Sequence, residues 1–231
     1  MWNLALRYGD SIGKFSNNEG LFVCASDASF GDNTLDRRSS QGYVMKLFGG
    51  AITWKANKQD TVTTSSTEAE LLALSQTAKE LIFTGRLLKD LGLQLPTPLT
   101  IECDNKQTIR LIVAEAAKLS TKLRHIDIHR HWLRQEYAQN RVNITWVPTR
   151  DMIADGLTKA LGKEKHQVFI NAMNLEDIRD RINREIREEE LRDQIRKSRD
   201  TVTDKSTKLV VGRDGGRANI AGAGGNISGK G

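Results

Sequence analysis

The chain has 231 residues, 38% apolar and 28% charged, with a net charge of +6, which suits one sizeable core with an appendage and leaves little room for a second full domain. No apolar run approaches the roughly 18 residues that cross a bilayer, and charge breaks the opening MWNLALRYGD too early for a secretory signal, so an intracellular monomer of cytoplasm or nucleus, without membrane contact, is expected. Cys24 and Cys103 lie far apart inside apolar segments, which argues against a disulfide or zinc framework and for buried free thiols; the positive charge suggests a polyanionic partner.

In chain order, residues 21–26 (LFVCAS) form an apolar run ending at Asp27, and 42–48 and 51–55 are β-rich runs that read as a hairpin turning at Gly49-Gly50. From Thr67 the period becomes helical, with Leu71, Leu74, Ala78, Leu81, Ile82 and Leu88, until Gly92, Pro96 and Pro98 stop it. Residues 99–103 form a strand ending at Asp104, 105–116 and 121–138 are helices, 142–147 an alternating strand, and 151–161 a closing helix. This order predicts an α/β fold around a mixed five-stranded sheet, antiparallel part first. A charged helix over 174–197 and a Gly-rich tail expected to be disordered follow. The helix's apolar positions break a strict heptad, so a solvated helix is expected rather than a dimerising coiled coil.

Asp27 and Asp104 both stand at C-terminal ends of strands, where open α/β sheets place ligands. If those strands are parallel neighbours, the carboxylates converge and call for a bridging hard cation. The plainer alternatives are that Asp27 opens a turn and Asp104 caps the next helix. In SSTEAELLAL, Glu70 lies about 60° from the centre of the apolar stripe and Glu68 about 100° on the other side. Ser65 and Glu68 fit a capping box, which gives Glu68 a structural task, although Thr67 and Glu70 fit the same box one frame later.

The stretches SDASFGD, RRSSQGYVMKLFGGAITWKANKQ, SSTEAELLALSQTAKE, ECDNKQTI, RHIDIHRHWLRQE and WVPTRDMIADGLTKAL together resemble the ribonuclease H domain of copia-type LTR retrotransposon Pol polyproteins, over roughly residues 4 to 162. The resemblance implies a ribonuclease H-like domain at 21–162, the end of a reverse transcriptase or connection region at 1–20, a charged helical extension at 163–197 and a disordered tail at 198–231. It also implies two Mg²⁺ or Mn²⁺ ions on Asp27, Glu70, Asp104 and Asp155, and hydrolysis of the RNA strand of RNA–DNA hybrids. The reverse transcriptase portion of the polyprotein becomes an implied partner. Ser29 stands where a second aspartate is common, and Gly156 weakens the helix carrying Asp155 by about 1 kcal/mol relative to Ala.

Candidate nucleic-acid contacts are Ser39, Ser40, Asn105 and Gln107, together with Lys122 and Arg124 from a basic stretch that also holds Lys118, Arg130 and Arg134. A solvated helix face explains the same stretch. His125, His129 and His131 lack accompanying cysteines and are not read as zinc ligands. The competing function is a catalytically silent nucleic-acid-binding remnant of a retrotransposon. An integrase or resolvase of the same superfold fits the positions of SSTEAE and of the final acid less well.

Overall fold

The computed structural model describes residues 3–9, 21–114 and 124–211, without the side chains of 124, 125 and 200–211. The chain divides into two units, residues 1–177 and 178–231.

The first unit opens with β1 (Leu4–Leu6), followed by β2 (Phe22–Ser29), β3 (Ser40–Leu47) and β4 (Gly50–Lys58). The long helix α1 (Ser66–Asp90) precedes β5 (Leu99–Cys103), α2 (Lys106–Val113), α3 (Arg124–Ala138) and β6 (Val142–Trp146). A 3-10 turn at Thr149–Asp151, α4 (Asp155–Thr158), α5 (Lys163–Ala172) and β7 (Leu175–Asp177) complete it. The expected five-stranded mixed sheet is present, in the order β4-β3-β2-β5-β6. Its β2–β3 and β3–β4 pairs are antiparallel, whereas β2–β5 and β5–β6 are parallel.

Alternation along the strands explains how the sheet is covered on both faces. Cys24, Tyr43, Met45 and Ile101 join Leu71, Leu74, Leu81, Ile126 and Leu133 of α1 and α3 in one buried cluster. Their neighbours Ala25 and Val44 face the other way, toward Met152, Ala154 and Met173. Burial in the first cluster raises the thiol pKa values of both Cys24 and Cys103, and both thiols are free.

Several boundaries differ from the sequence reading. The hairpin turns at Phe48-Gly49, one residue early, with φ of 51° and 82°, and Leu47 pairs with Gly50. Both central residues are left-handed, as a tight hairpin turn requires, and only Gly49 adopts that conformation without cost. The helices expected over 105–116 and 121–138 are described over Lys106–Val113 and Arg124–Ala138. The closing helix expected over 151–161 shrinks to four residues, because a 3-10 turn and Met152 come first.

The extension expected over 163–197 divides between the units. Ile170 and Met173 are buried, and β7 pairs antiparallel with β1, so residues 163–177 belong to the first unit. In the second, the helix begins later and ends later than expected: α6 runs Arg179–Val211, with Ile186, Leu191 and Ile195 exposed. Most of the expected tail, residues 212–231, lies outside the described residues.

Candidate metal centre

Parallel pairing brings β2 and β5 side by side with Cys24 opposite Ile101 and Ala25 opposite Glu102. Carried on by about three residues, that register sets Asp27 level with Asp104. Asp27 lies inside β2 rather than opening a turn, because the strand runs on to Ser29. Asp104 is not the cap of α2 either. Asn105 is, its Oδ1 accepting hydrogen bonds from the amides of Gln107 and Thr108. Both plain alternatives therefore fall, and both carboxylates are left for the site.

Asp155 arrives from α4. That helix lies tight on β3 at Gly42, where an added Cβ would stand 2.8 Å from the Cβ of Leu157. On its other side α5 presses Phe169 onto Gly156, where a Cβ would meet the ring at 2.2 Å. The glycine that looked like a weakness of this helix is the residue that lets it be sandwiched. One carboxylate oxygen each from Asp27, Asp104 and Asp155 lie within 4.8 Å of one another.

Glu70 is not one of the three acids so grouped, but from α1 it lies near enough for the charges of Asp27 and Asp104 to act on it. Ala28, Ala69 and Ala73 form a small buried cluster, and their short side chains let α1 settle close to β2. Glu70 Oε2 is buried without any hydrogen-bond partner. Burial first, then the charges of Asp27 and Asp104, push its pKa up to about 9. Asp27, also buried, is raised by desolvation, against which Thr158 and Lys159 act.

Glu68 has the other task. Ser65 caps α1 by accepting from the Glu68 amide at 3.2 Å, and Glu68 Oε2 accepts from the amide and hydroxyl of Thr64 at 2.8 and 2.7 Å. The capping box is thus present with its return bond shifted one residue, from the capping residue to Thr64.

Three further residues touch the acids. The Thr149 hydroxyl donates to Asp104 Oδ2 at 2.8 Å, the Thr158 hydroxyl donates to Asp27 Oδ2, and Lys159 Nζ stands 2.5 Å from Asp155 Oδ1 and 3.4 Å from Asp27 Oδ2. Sequence reading missed all three. The Asp155–Lys159 spacing of i,i+4 on a helix was the available signal, but nothing in the sequence told that Lys159 would also meet Asp27. A cavity of about 620 Å³ adjoins the group, lined in part by Thr149, Asp155, Gly156 and Phe169.

The expected nucleic-acid contacts fare unevenly. Ser39 is fully buried, with its hydroxyl accepting from the Gly31 amide and bonded to Thr63; it is a structural residue and offers no surface to a ligand. The Ser40 hydroxyl, at the start of β3, donates to Asp32. Asn105 is occupied as the α2 cap, and Gln107 Oε1 accepts from the Thr67 hydroxyl. Lys122 and the side chain of Arg124 lie outside the described residues. Of the other basic residues, Arg130 pairs with Asp127 at 3.2 Å, and Arg134 donates to the carbonyls of Leu111 and Ala114, so both fasten helices. One unforeseen surface stands beside the acids: Trp146 donates its indole N–H to the Asp104 carbonyl at 3.1 Å, and Lys106 Nζ lies 4.0 Å from the centre of its ring.

No family model matches the chain. Over 154 residues, 67% of this chain, it is 30% identical to the retrovirus-related Pol polyprotein of transposon TNT 1-94 from Nicotiana tabacum, of which that stretch is 11%. Over 144 residues, 62% of this chain, it is 35% identical to the corresponding polyprotein of transposon RE2 from Arabidopsis thaliana, of which it is 10%. The chain thus spans about a tenth of the length of these relatives. Among solved structures, LC11-RNase H1 in complex with an RNA/DNA hybrid is 14% identical, covering 59% of this chain and 92% of its own, with a TM-score of 0.45.

Proposed function

We propose that this homologue of transposon Pol polyproteins is a metal-dependent endonuclease that hydrolyses the RNA strand of RNA–DNA hybrids. The observation that carries the reading is the convergence of Asp27, Asp104 and Asp155 within 4.8 Å, with the unpartnered, buried Oε2 of Glu70 beside them. Three carboxylates gathered from β2, the end of β5 and α4 repel one another without a counter-charge. An all-oxygen donor set suits a hard divalent cation such as Mg²⁺ or Mn²⁺, and a buried oxygen without a partner is costly unless something binds it. When bound, two such ions supply an activated water and charge stabilisation for in-line displacement at a phosphodiester.

The chain's own residues do the rest. Asp27 and Glu70, on the sheet and its covering helix, are held in place by the packing around them. Thr149 orients Asp104 by donating to its Oδ2, and the contact of Phe169 with Gly156 sets where α4 presents Asp155. The Trp146 face with Lys106 offers stacking and positive charge where a nucleic-acid strand would pass. Ser40, Asn105, Gln107, Lys122 and Arg124 remain proposed contacts to the hybrid. Selection of RNA would rest on contacts to successive 2′-hydroxyls. The similarity to Pol polyproteins supports a hybrid substrate, since copying RNA into DNA leaves one.

Incubating the full chain with an end-labelled hybrid and Mg²⁺ tests this. The expected result is RNA-strand cleavage leaving 5′ phosphates, intact duplex DNA, and no cleavage by Asp27→Asn. Equal cutting of hybrid and duplex DNA would overturn the hybrid selectivity, and no cutting with binding retained would favour the catalytically silent nucleic-acid-binding remnant instead.

A further inference from the structure

Lys159 is half-buried, its side chain 37% exposed, among groups of opposite sign. Its Nζ makes a 2.5 Å contact with Asp155 Oδ1 and lies 3.4 and 3.5 Å from the two oxygens of Asp27. The first contact is an ordinary i,i+4 helix pair. The second is not: it joins α4 to a carboxylate on β2 whose side chain is 1% exposed. We propose that Lys159 is the resident counter-ion of the acidic group, holding Asp27 and Asp155 together and yielding its place when a divalent cation binds.

The inference rests on the metal-binding reading above and adds to it a residue that competes for the same oxygens. Two carboxylates facing each other, Asp27 buried and Asp155 partly so, are relieved by a positive charge between them, and in this chain the ammonium of Lys159 supplies it. A divalent cation held by the same oxygens at about 2.0–2.5 Å would lie within a few ångströms of that ammonium, a repulsion that strengthens in a partly desolvated site. Both cannot stay. Lysine is suited to leave, because its charge sits on a flexible four-carbon stem and part of the side chain already reaches solvent. Thr158, which donates to Asp27 from the same turn, keeps one hydrogen bond to that carboxylate after the ammonium has gone.

The test measures Mn²⁺ binding to the full chain by calorimetry, with no substrate present. Lys159→Met keeps the stem and removes the charge, and it should bind Mn²⁺ several-fold more tightly than the parent while melting lower in chelator. Lys159→Arg should restore the melting temperature. Lys55→Met, at an exposed site on β4, corrects for net charge and should bind within about twofold of the parent. A second measurement needs no variant: labelling of the parent by an amine-acylating ester, read by mass spectrometry, should rise at Lys159 and stay constant at Lys55 when Mg²⁺ is added. If the parent binds Mn²⁺ and Lys159→Met binds it no better, the counter-ion proposal is overturned while the metal site stands. Unchanged labelling of Lys159 at saturating Mg²⁺ overturns it as well, even where Lys159→Met fails to fold. If the parent binds no Mn²⁺ at all, the proposed function falls and this inference with it.

Discussion

The acidic group has two unlike halves. Asp27 and Glu70 are buried, on the sheet and the helix packed over it, and desolvation is the largest influence on both. Asp104 and Asp155 come from a strand end and a short helix, are partly exposed, and each has a side-chain donor, Thr149 or Lys159. Proximity is shared by the three aspartates, and burial is what separates the two halves. In the buried half Asp27 is held by Thr158 and Lys159 while Glu70 Oε2 has no partner, whereas each acid of the exposed half meets a neighbouring side chain.

The sharpest way to break this contrast is Glu70→Gln, which should abolish hybrid cleavage and yet stabilise the metal-free protein. The folded pKa of Glu70, about 9, lies above its ordinary 4.5. Between these values the folded state keeps a proton that the unfolded chain has released, so stability is full below about 4.5 and drains as pH rises toward 9. Melting curves in chelator at pH 5, 7 and 9 should show the variant gaining on the parent as pH rises; parallel curves would mean that Glu70 is not held protonated.

Gly156→Ala examines the exposed half. Helix propensity alone predicts a gain of about 1 kcal/mol, but the new methyl would meet the Phe169 ring at 2.2 Å. A net loss of about 1–3 kcal/mol is expected from overpacking, together with weaker Mn²⁺ binding as Asp155 shifts. A more stable variant would show that α5 does not press on α4.

Glu68→Ala should cost about 0.5–2 kcal/mol through the start of α1 and leave cleavage within a few-fold. If it is as inactive as Glu70→Gln, the division of labour between the two glutamates is wrong. The smallest effect belongs to Asp104→Asn. Asparagine can still accept from Thr149, and it removes a charge that raises both Asp27 and Glu70. In chelator it should match or slightly exceed the parent in melting temperature, and Mg²⁺ should then favour the parent, since a ligand bound only by the native state stabilises it. A lower melting temperature in chelator would make Asp104 structural.

The sequence made the sheet legible because period and punctuation are local. Alternation in 142–147, the Asp at the end of each apolar run and the helical spacing after Thr67 survive without tertiary context, and helix phasing separates Glu70 from Glu68. The hairpin slipped by one residue because Gly-Gly looks like the better turn, yet Phe48 is the residue that turns. Ser39 misled because a serine in a polar stretch gives no sign that its hydroxyl will be sealed inside by Gly31 and Thr63.

By itself, then, the sequence determined the α/β class and the order of the elements, since each depends on residues near one another in the chain, whereas the set of four acids was implied by the family resemblance alone. Only the tertiary structure decided that residues 163–177 belong to the unit carrying the site, that Gly156 is a packing requirement, and that Lys159 reaches Asp27. Those outcomes turn on contacts between segments tens to more than a hundred residues apart, such as Lys159 with Asp27 and β1 with β7. No local pattern encodes such contacts, because their energy appears only when two surfaces, each unremarkable alone, exclude water together.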